Sequence, residues 1–392
     1  MYLVGIDIGK LKHSYCVYNP DTGEYLVEPK FFTNDEEGFK SLYSSFKSYK
    51  KEDVLIGMED TGHYHFALLK YLLDKKYTVA LINPITTDLT RRLEGGISKN
   101  DKLDTKTICD VLLNNGSKKP YRISKINSFD LYEQKVLTRH HHNLKEELNV
   151  YTNRLQKCID IIFPEFNSLF DSKYGKVYIN VLETFGSAYS LAHADIRNIR
   201  KCFEYKGQGK RIKLTPEKLK EAAKKSIGIH SAADEIEAKH LIKQIQLINE
   251  QIEEVDKKIE EFSIQNNSPI LSIPGISHLS GTSILAELGD IHNFKSYKQV
   301  IKYAGVAPIH YESGQFNAEH TRISKKGSKY LRKTLYQIIL PVIKFNPVFK
   351  KYYESKKPKG MRCAEGHCIR KLLRVIFYIL TTGNTFNPEL LR

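Results

Sequence analysis

The chain has 392 residues, 61 Lys and Arg against 45 Asp and Glu, a formal net charge of +16, and 41% hydrophobic residues. That length holds two or three domains with a sizeable core, and the charge excess calls for a polyanionic partner. Six cysteines without framework spacing exclude a disulfide scaffold and suit reduced thiols in a cytoplasm, and no apolar run is long enough to span a bilayer.

From Met1 to about residue 116, β-rich runs at 2–8, 13–18, 54–59 and 78–82 alternate with helical stretches at 35–49, 64–74 and 102–114. Met1 leads straight into the first run, so no signal peptide is expected. A hairpin-like turn falls at Asp21-Thr22-Gly23, and strand, hairpin, helix, strand is the order of a ribonuclease-H-like α/β fold. Four carboxylates stand out in this region. Asp7 lies near the end of the apolar run Tyr2–Ile8, between Gly5 and Gly9, Glu59 follows Val54–Met58, and Asp101 and Asp104 fall i,i+3 at the start of a helix, on one face. Hard Mg²⁺ ions prefer oxygen ligands, and two of them roughly 4 Å apart can stabilise the attacking and leaving oxygens of a phosphate. Each acid alone reads as well as a turn or cap residue. Gly5-Ile6-Asp7-Ile8-Gly9-Lys10 also resembles the first phosphate loop of sugar kinases and actin-like ATPases, but the later glycine loops of that family are not found. The four acids together favour nuclease-type chemistry.

A long helix is expected over about 127–162, where Leu144, Leu148, Tyr151, Leu155, Cys158 and Ile162 keep a 4,3 spacing as far as Pro164. A second seam runs through Leu241, Ile245, Ile248, Ile252, Val255, Ile259 and Phe262. The two can pair within the chain or across a dimer. They flank an insert at about 165–233 that contains a helical stretch from Pro216 to Ser226. Residues His140, His141 and His142 diverge by about 100° each on a helix and cannot converge on one ion, so they read as surface residues facing phosphate.

The last region begins near Asn267. Leu271-Ser272-Ile273-Pro274-Gly275-Ile276-Ser277 followed by Gly281–Asp290 reads as a helix-hairpin-helix whose glycine turn offers backbone N–H groups to phosphate. Residues 320–374 hold sixteen Lys and Arg with only Glu354 and Glu365 as acids, which concentrates the charge excess there. Ser324 and Ser328 in the basic run read as a cap and a phosphate contact. Cys363, His367 and Cys368 lack a fourth ligand with zinc spacing.

Taken together, the Gly-Ile-Asp-Ile-Gly-Lys start, Met58-Glu59-Asp60-Thr61-Gly62-His63-Tyr64, Asn100-Asp101-Lys102-Leu103-Asp104, the coiled coil, Pro274-Gly275-Ile276 and Ser313-Gly314 before Ser324-Lys325-Lys326-Gly327 resemble the DEDD-type transposases of insertion sequences, the IS110 family. The resemblance covers nearly the whole chain. It implies a RuvC-like domain over 1–120 with Asp7, Glu59, Asp101 and Asp104 as catalytic metal ligands for Mg²⁺, with Mn²⁺ as substitute. It also implies a coiled-coil region over 121–265 and a mostly α-helical transposase domain over 266–392 whose nucleophile is Ser313. Asp60 and Thr105 depart mildly from the small residues usual at those places, and the insert is longer than in compact members.

Without that resemblance Ser313-Gly314 would be read as a turn. With it, Arg322, Lys325, Lys326, Lys329 and Arg332 are cations suited to a phosphoryl transition state, and Lys10 and Gly275 join them as nucleic-acid contacts. The expected partners are DNA, at element ends and target, a structured guide RNA implied by the resemblance alone, and further copies of the chain in a dimer or tetramer, in a bacterial cytoplasm at the nucleoid. The runner-up is a metal-dependent nuclease or junction resolvase without a covalent step. An actin-like kinase or ATPase follows, and a non-catalytic nucleic-acid scaffold comes last.

Overall fold

Two neighbouring glycines decide how the first part of the chain packs. In the computed structural model, Gly5 lies opposite Gly57 on adjacent parallel strands, and a Cβ added at Gly5 would overlap the Thr105 carbonyl oxygen and meet Cys109 Sγ at 2.9 Å. At Gly57 it would meet Leu112 and Ile108 at 2.8 and 2.9 Å. Only bare backbone lets a helix lie this close to the sheet.

The structure describes all residues except 61, 94–99, 114–120, 125–130, 172, 205–212, 310–311, 314–315, 318–321 and 392, and only the backbone of 122, 124, 312, 313, 316, 317, 390 and 391. The chain divides into two compact units, Met1–Leu131 and Tyr132–Arg392.

The first unit is α/β. Its elements are β1 (Tyr2–Asp7), β2 (Lys12–Asn19), β3 (Glu24–Thr33), α1 (Glu36–Ser44), β4 (Val54–Glu59), α2 (Phe66–Asp74), β5 (Thr78–Ile82), α3 (Pro84–Leu93), α4 (Asp101–Leu113) and β6 (Tyr121–Ser124). They form one mixed sheet in the order β3-β2-β1-β4-β5-β6, parallel at β1/β4 and β4/β5 and antiparallel elsewhere. Val4, Ile6, Ile56 and Met58 pack with Leu68 and Leu72 of α2 on one face, and Leu3, Leu55 and Ala80 pack with Ile108 and Leu112 of α4 on the other. Both faces of the central strands are therefore buried, which explains their near-continuous apolar runs. Two elements were not expected from the sequence, α3 and β6, and β3 extends the expected turn into a full edge strand.

The second unit is mostly helical. It runs α5 (Tyr132–Ile162), α6 (Lys176–Thr184), α7 (Ala188–His193), α8 (Ile196–Phe203), α9 (Pro216–Lys224), α10 (Ala232–Asn266), α11 (His278–Leu288), α12 (Tyr297–Tyr303), β7 (Glu312–Ser313), β8 (Phe316–Asn317), α13 (Lys329–Phe345), α14 (Pro347–Lys356) and α15 (Met361–Thr382). The two seams meet within the chain: Leu144 packs with Ile248, Ile252, Val255 and Ile259. Asn266 hydrogen-bonds Gln134 and Arg154 pairs with Glu237, so the helices run antiparallel. The insert has a core of its own, in which Phe163, Phe166, Tyr178, Val181, Ile199 and Leu219 pack onto the end of the stalk.

Two readings are corrected here. His141 and His142 are buried at 5% and 7% exposure, not surface residues. The His142 ring meets Thr334 Oγ1 at 3.1 Å and His141 faces Asp256 at 3.2 Å, because α5 is covered on that side by α10 and α13. The helix-hairpin-helix lacks its first helix: Pro269–Ser272 make one 3₁₀ turn before α11, since prolines at 269 and 274 leave no room for more. Gly275, at φ 97°, lies against the backbone of Pro341 and Val342 in α13, so this glycine is required by packing whatever else it does.

Candidate active site

Parallel strands β1 and β4 end side by side, and each carries an acid at its last residue, Asp7 and Glu59. The helix α4, seated close by the Gly5–Gly57 pair, starts with Asp101 and Asp104. Ser14 on β2 ties that start down by donating to the Asp101 carbonyl at 2.7 Å. The four sequence-derived acids thus gather at one end of the sheet. Burial first, and then the charges of Asp104, Glu59 and Asp101 in that order, together push the Asp7 carboxyl up to about 6.

Among the described residues, no three of the four carboxylates have oxygens all within 4.8 Å of one another; that spacing is met by Cys158, Asp234 and Glu237 in the second unit. The latter trio suits hydrogen bonding better than an ion: burial, with Glu237 and Asp234, pushes the Cys158 thiol up to about 11, and Glu237 is already paired with Arg154 at 2.9 Å. The sheet-end acids offer hard carboxylate oxygens alone, and the charge they place on Asp7 is what a divalent cation would relieve, so the donor set fits a hard divalent cation.

Helix α3 supplies two neighbours that the sequence reading missed. Thr87, 7% exposed, donates its hydroxyl to Glu59 and shares it with the Pro84 carbonyl. Arg91 pairs with Asp88 at 2.5 Å and with Asp104 at 3.3 Å. Lys10 is exposed just beyond Asp7.

In the second unit, backbone bonds from Ile309 to Arg322 (2.8 Å) and from Ser324 to Ala307 (2.9 Å) join two chain segments around a Pro308↔Ile323 bridge. Farther out β7 pairs with β8, Ser313 opposite Phe316. The Ser313 side chain and Gly314 lie outside the described residues. Arg322, Lys325, Lys326 and Lys329 are exposed beside the paired segments. Arg332 instead donates to the carbonyls of Lys325 (3.1 Å) and Ala304 (3.4 Å), bracing the loop that carries the lysines.

Residues 4–164 match the DEDD-type IS110 family described as Transposase, and residues 267–354 match the Transposase IS116/IS110/IS902 family. The chain belongs to the IS110 family of transposases. It is 22% identical to an uncharacterized 44.8 kDa protein of insertion element IS116 from Streptomyces clavuligerus, over 98% of this chain and 96% of that one. It is likewise 22% identical to the pilin gene-inverting protein of Moraxella lacunata, over 99% and 98% of the two chains. A transposase for insertion sequence element IS1111A from Coxiella burnetii shares 39% identity over 67 residues, 17% of this chain and 18% of that one. As a DNA transposase the protein takes DNA as its substrate. Among the described residues, no helix is long and apolar enough to cross a membrane.

The transposase also has a buried carboxylate that no motif announced. The Glu287 side chain on α11 is fully buried and takes two bonds from Arg139, at 2.6 and 3.2 Å, and one from the Ser328 hydroxyl at 2.6 Å. Burial would raise its pKa, but these bonds and the nearby Lys135 hold it below its ordinary value. Ser328 in turn caps α13 by accepting from Leu331 at 3.1 Å, so Ser328 is the cap and Ser324 a ladder residue, the reverse of a cap at Ser324 and a phosphate contact at Ser328. Replacing Arg139 by Met leaves this carboxylate without its cation and is expected to cost roughly 3 kcal/mol of stability at pH 7. Glu287, with its folded pKa depressed, stabilises above the ordinary glutamate range and loses that contribution as the pH falls through its folded pKa. The Arg139→Met deficit should therefore shrink in acid, as measured by urea unfolding at pH 7 and near pH 4.

Proposed function

We propose that the transposase cuts and rejoins the DNA strands of a mobile element with a RuvC-like acidic site, Asp7, Glu59, Asp101 and Asp104, and a serine nucleophile, Ser313. The observation that carries the reading is the convergence of the four acids at one sheet end, with Asp7 raised to about 6 by burial and by the other three. Those acids would hold Mg²⁺, or Mn²⁺ in its place, and the ion when bound supplies positive charge to the phosphate oxygens. The chain's own part is to set the four carboxylates on rigid elements, with Thr87 orienting Glu59.

In the covalent step the Ser313 oxygen bonds to phosphorus, its proton departs, and the bond from phosphorus to the leaving deoxyribose oxygen breaks, that oxygen taking up a proton. The phosphodiester energy is kept in the serine ester for rejoining. Arg322, Lys325, Lys326 and Lys329 stand near in sequence to neutralise the phosphoryl oxygens, and Lys10 and Gly275 make further backbone contacts. The sites come from distant parts of the chain, which favours an oligomer, dimer or tetramer, in which they are completed. A structured RNA that pairs with element ends and target would guide site choice at the nucleoid, an expectation that follows from the family resemblance.

The alternative reading is a hydrolytic RuvC-like nuclease or junction resolvase, in which water replaces Ser313. Denaturing electrophoresis of end-labelled cognate DNA separates the two: a protein–DNA adduct supports serine attack, and free nicked DNA supports water. Charge reversal at Lys325, Lys326 and Lys329 should weaken binding about equally on all sequences and flatten the dependence of log Kd on log salt by up to about one per lost phosphate contact. Filter binding across a salt series checks this. A change in sequence preference at constant affinity would contradict the role.

A further inference from the structure

Helix α3 turns a polar face to the acids. Thr87 and Arg91 are one helical turn apart, i and i+4, and so share that face. Thr87 meets Glu59, which comes from β4, and Arg91 meets Asp104, which comes from α4. The Arg91 side chain is 20% exposed and that of Asp104 13%, so this contact is shielded from solvent on most sides. Asp88, at 37%, grips the same guanidinium from the open side and also pairs with Arg92 at 2.9 Å. A permanent cation therefore sits between one acid of the site and one acid outside it.

We propose that Arg91 is a positioning residue that competes with the divalent cation for Asp104, so that α3 helps to set the metal affinity of the acidic site. The proposal rests on the reading of the four acids as a metal site. A guanidinium and a hard cation cannot both lie against one carboxylate oxygen, since each needs its lone pairs and the two repel. For Asp104 to ligate an ion, Arg91 has to release it, and Asp88 is the carboxylate already in contact that keeps the guanidinium paired. The Arg91–Asp104 contact then subtracts from ion binding, and the Arg91–Asp88 contact adds to it. An ion pair that served the fold alone would leave metal affinity where it was.

The test is Mn²⁺ binding to the full-length protein without DNA, read as free Mn²⁺ by electron paramagnetic resonance. Arg91→Met is expected to bind Mn²⁺ about five to ten times more tightly than wild type, and Arg91→Lys, which keeps the charge, to return toward the wild-type value. Asp88→Asn frees Arg91 to hold Asp104 harder and should weaken binding a few-fold, which gives a second reading of opposite sign should Arg91→Met not fold. Unchanged or weaker Mn²⁺ binding by Arg91→Met, or unchanged or tighter binding by Asp88→Asn, would overturn the competition, while loss of binding in Asp7→Asn would still support the acidic site. Equal Mn²⁺ binding by wild type and Asp7→Asn would remove the acidic site itself, and the proposal with it.

Discussion

Ser313→Ala is expected to bind cognate DNA as wild type does and to leave no protein–DNA adduct and no recombination product. A methyl group has no lone pair to offer phosphorus, so the loss should be complete rather than partial. Binding should survive because the positive charge lies in other residues, Arg322, Lys325, Lys326 and Lys329, which are exposed in the same part of the chain. Stability should move little, since Ser313 lies in a strand of two residues that, among the described residues, pairs with Phe316–Asn317. A hydrolytic enzyme gives the opposite pattern: no adduct in wild type, and nicking that persists in Ser313→Ala.

Conversion of Asp7, Glu59, Asp101 or Asp104 to its amide should reduce strand cleavage on the order of a thousand-fold, because an amide lacks the charge that holds a divalent cation at the phosphate. Nucleic-acid binding should hold or improve slightly, as one negative charge fewer faces the phosphates. Asp7→Asn carries a further signature. Its carboxyl is raised to about 6, first by burial and then by Asp104, Glu59 and Asp101, against about 3.9 in an unfolded chain. The folded state then holds the proton more tightly, so stability falls as the pH rises from about 4 to 6, and the full penalty stands above that. In EDTA at pH 7.5, Asp7→Asn should be more stable than wild type by about 1–2 kcal/mol, after allowance for partial solvent screening. At pH 4 the difference should vanish. An enzyme that gains stability as it loses activity is the pattern of a strained charged site.

How much of this was legible in the sequence can be followed element by element. The strand ends that carry Asp7 and Glu59 were plain, because both faces of β1 and β4 are buried and their residues are apolar without alternation. The start of α4 was plain because Asp101 and Asp104 precede an apolar helical pattern. Helix α3 was hidden for a physical reason: its apolar residues Ile85, Leu89 and Leu93 are 67%, 55% and 88% exposed, while the buried member is Thr87, so its pattern points away from the core. With it went Thr87 and Arg91. Strand β3 contains Pro29, which demotes a run unless it lies at a sheet edge, as here. The coiled-coil seams gave the pairing helices, but not their antiparallel contact within the chain, since a 4,3 spacing is the same in either arrangement. His141, His142 and Glu287 were misread or missed because burial of a polar residue depends on partners such as Thr334, Asp256 and Arg139, which are more than a hundred residues away in sequence.

The central claim is that four carboxylates from β1, β4 and α4 form one metal-dependent cleavage site. It is tested most directly by incubating wild type and Asp104→Asn with end-labelled cognate DNA in Mg²⁺, after confirming equal DNA binding, and resolving the products on a denaturing gel. Cleavage by wild type that EDTA abolishes, and that Asp104→Asn lacks at equal binding, is the result expected; full cleavage by Asp104→Asn in Mg²⁺ would contradict the assignment.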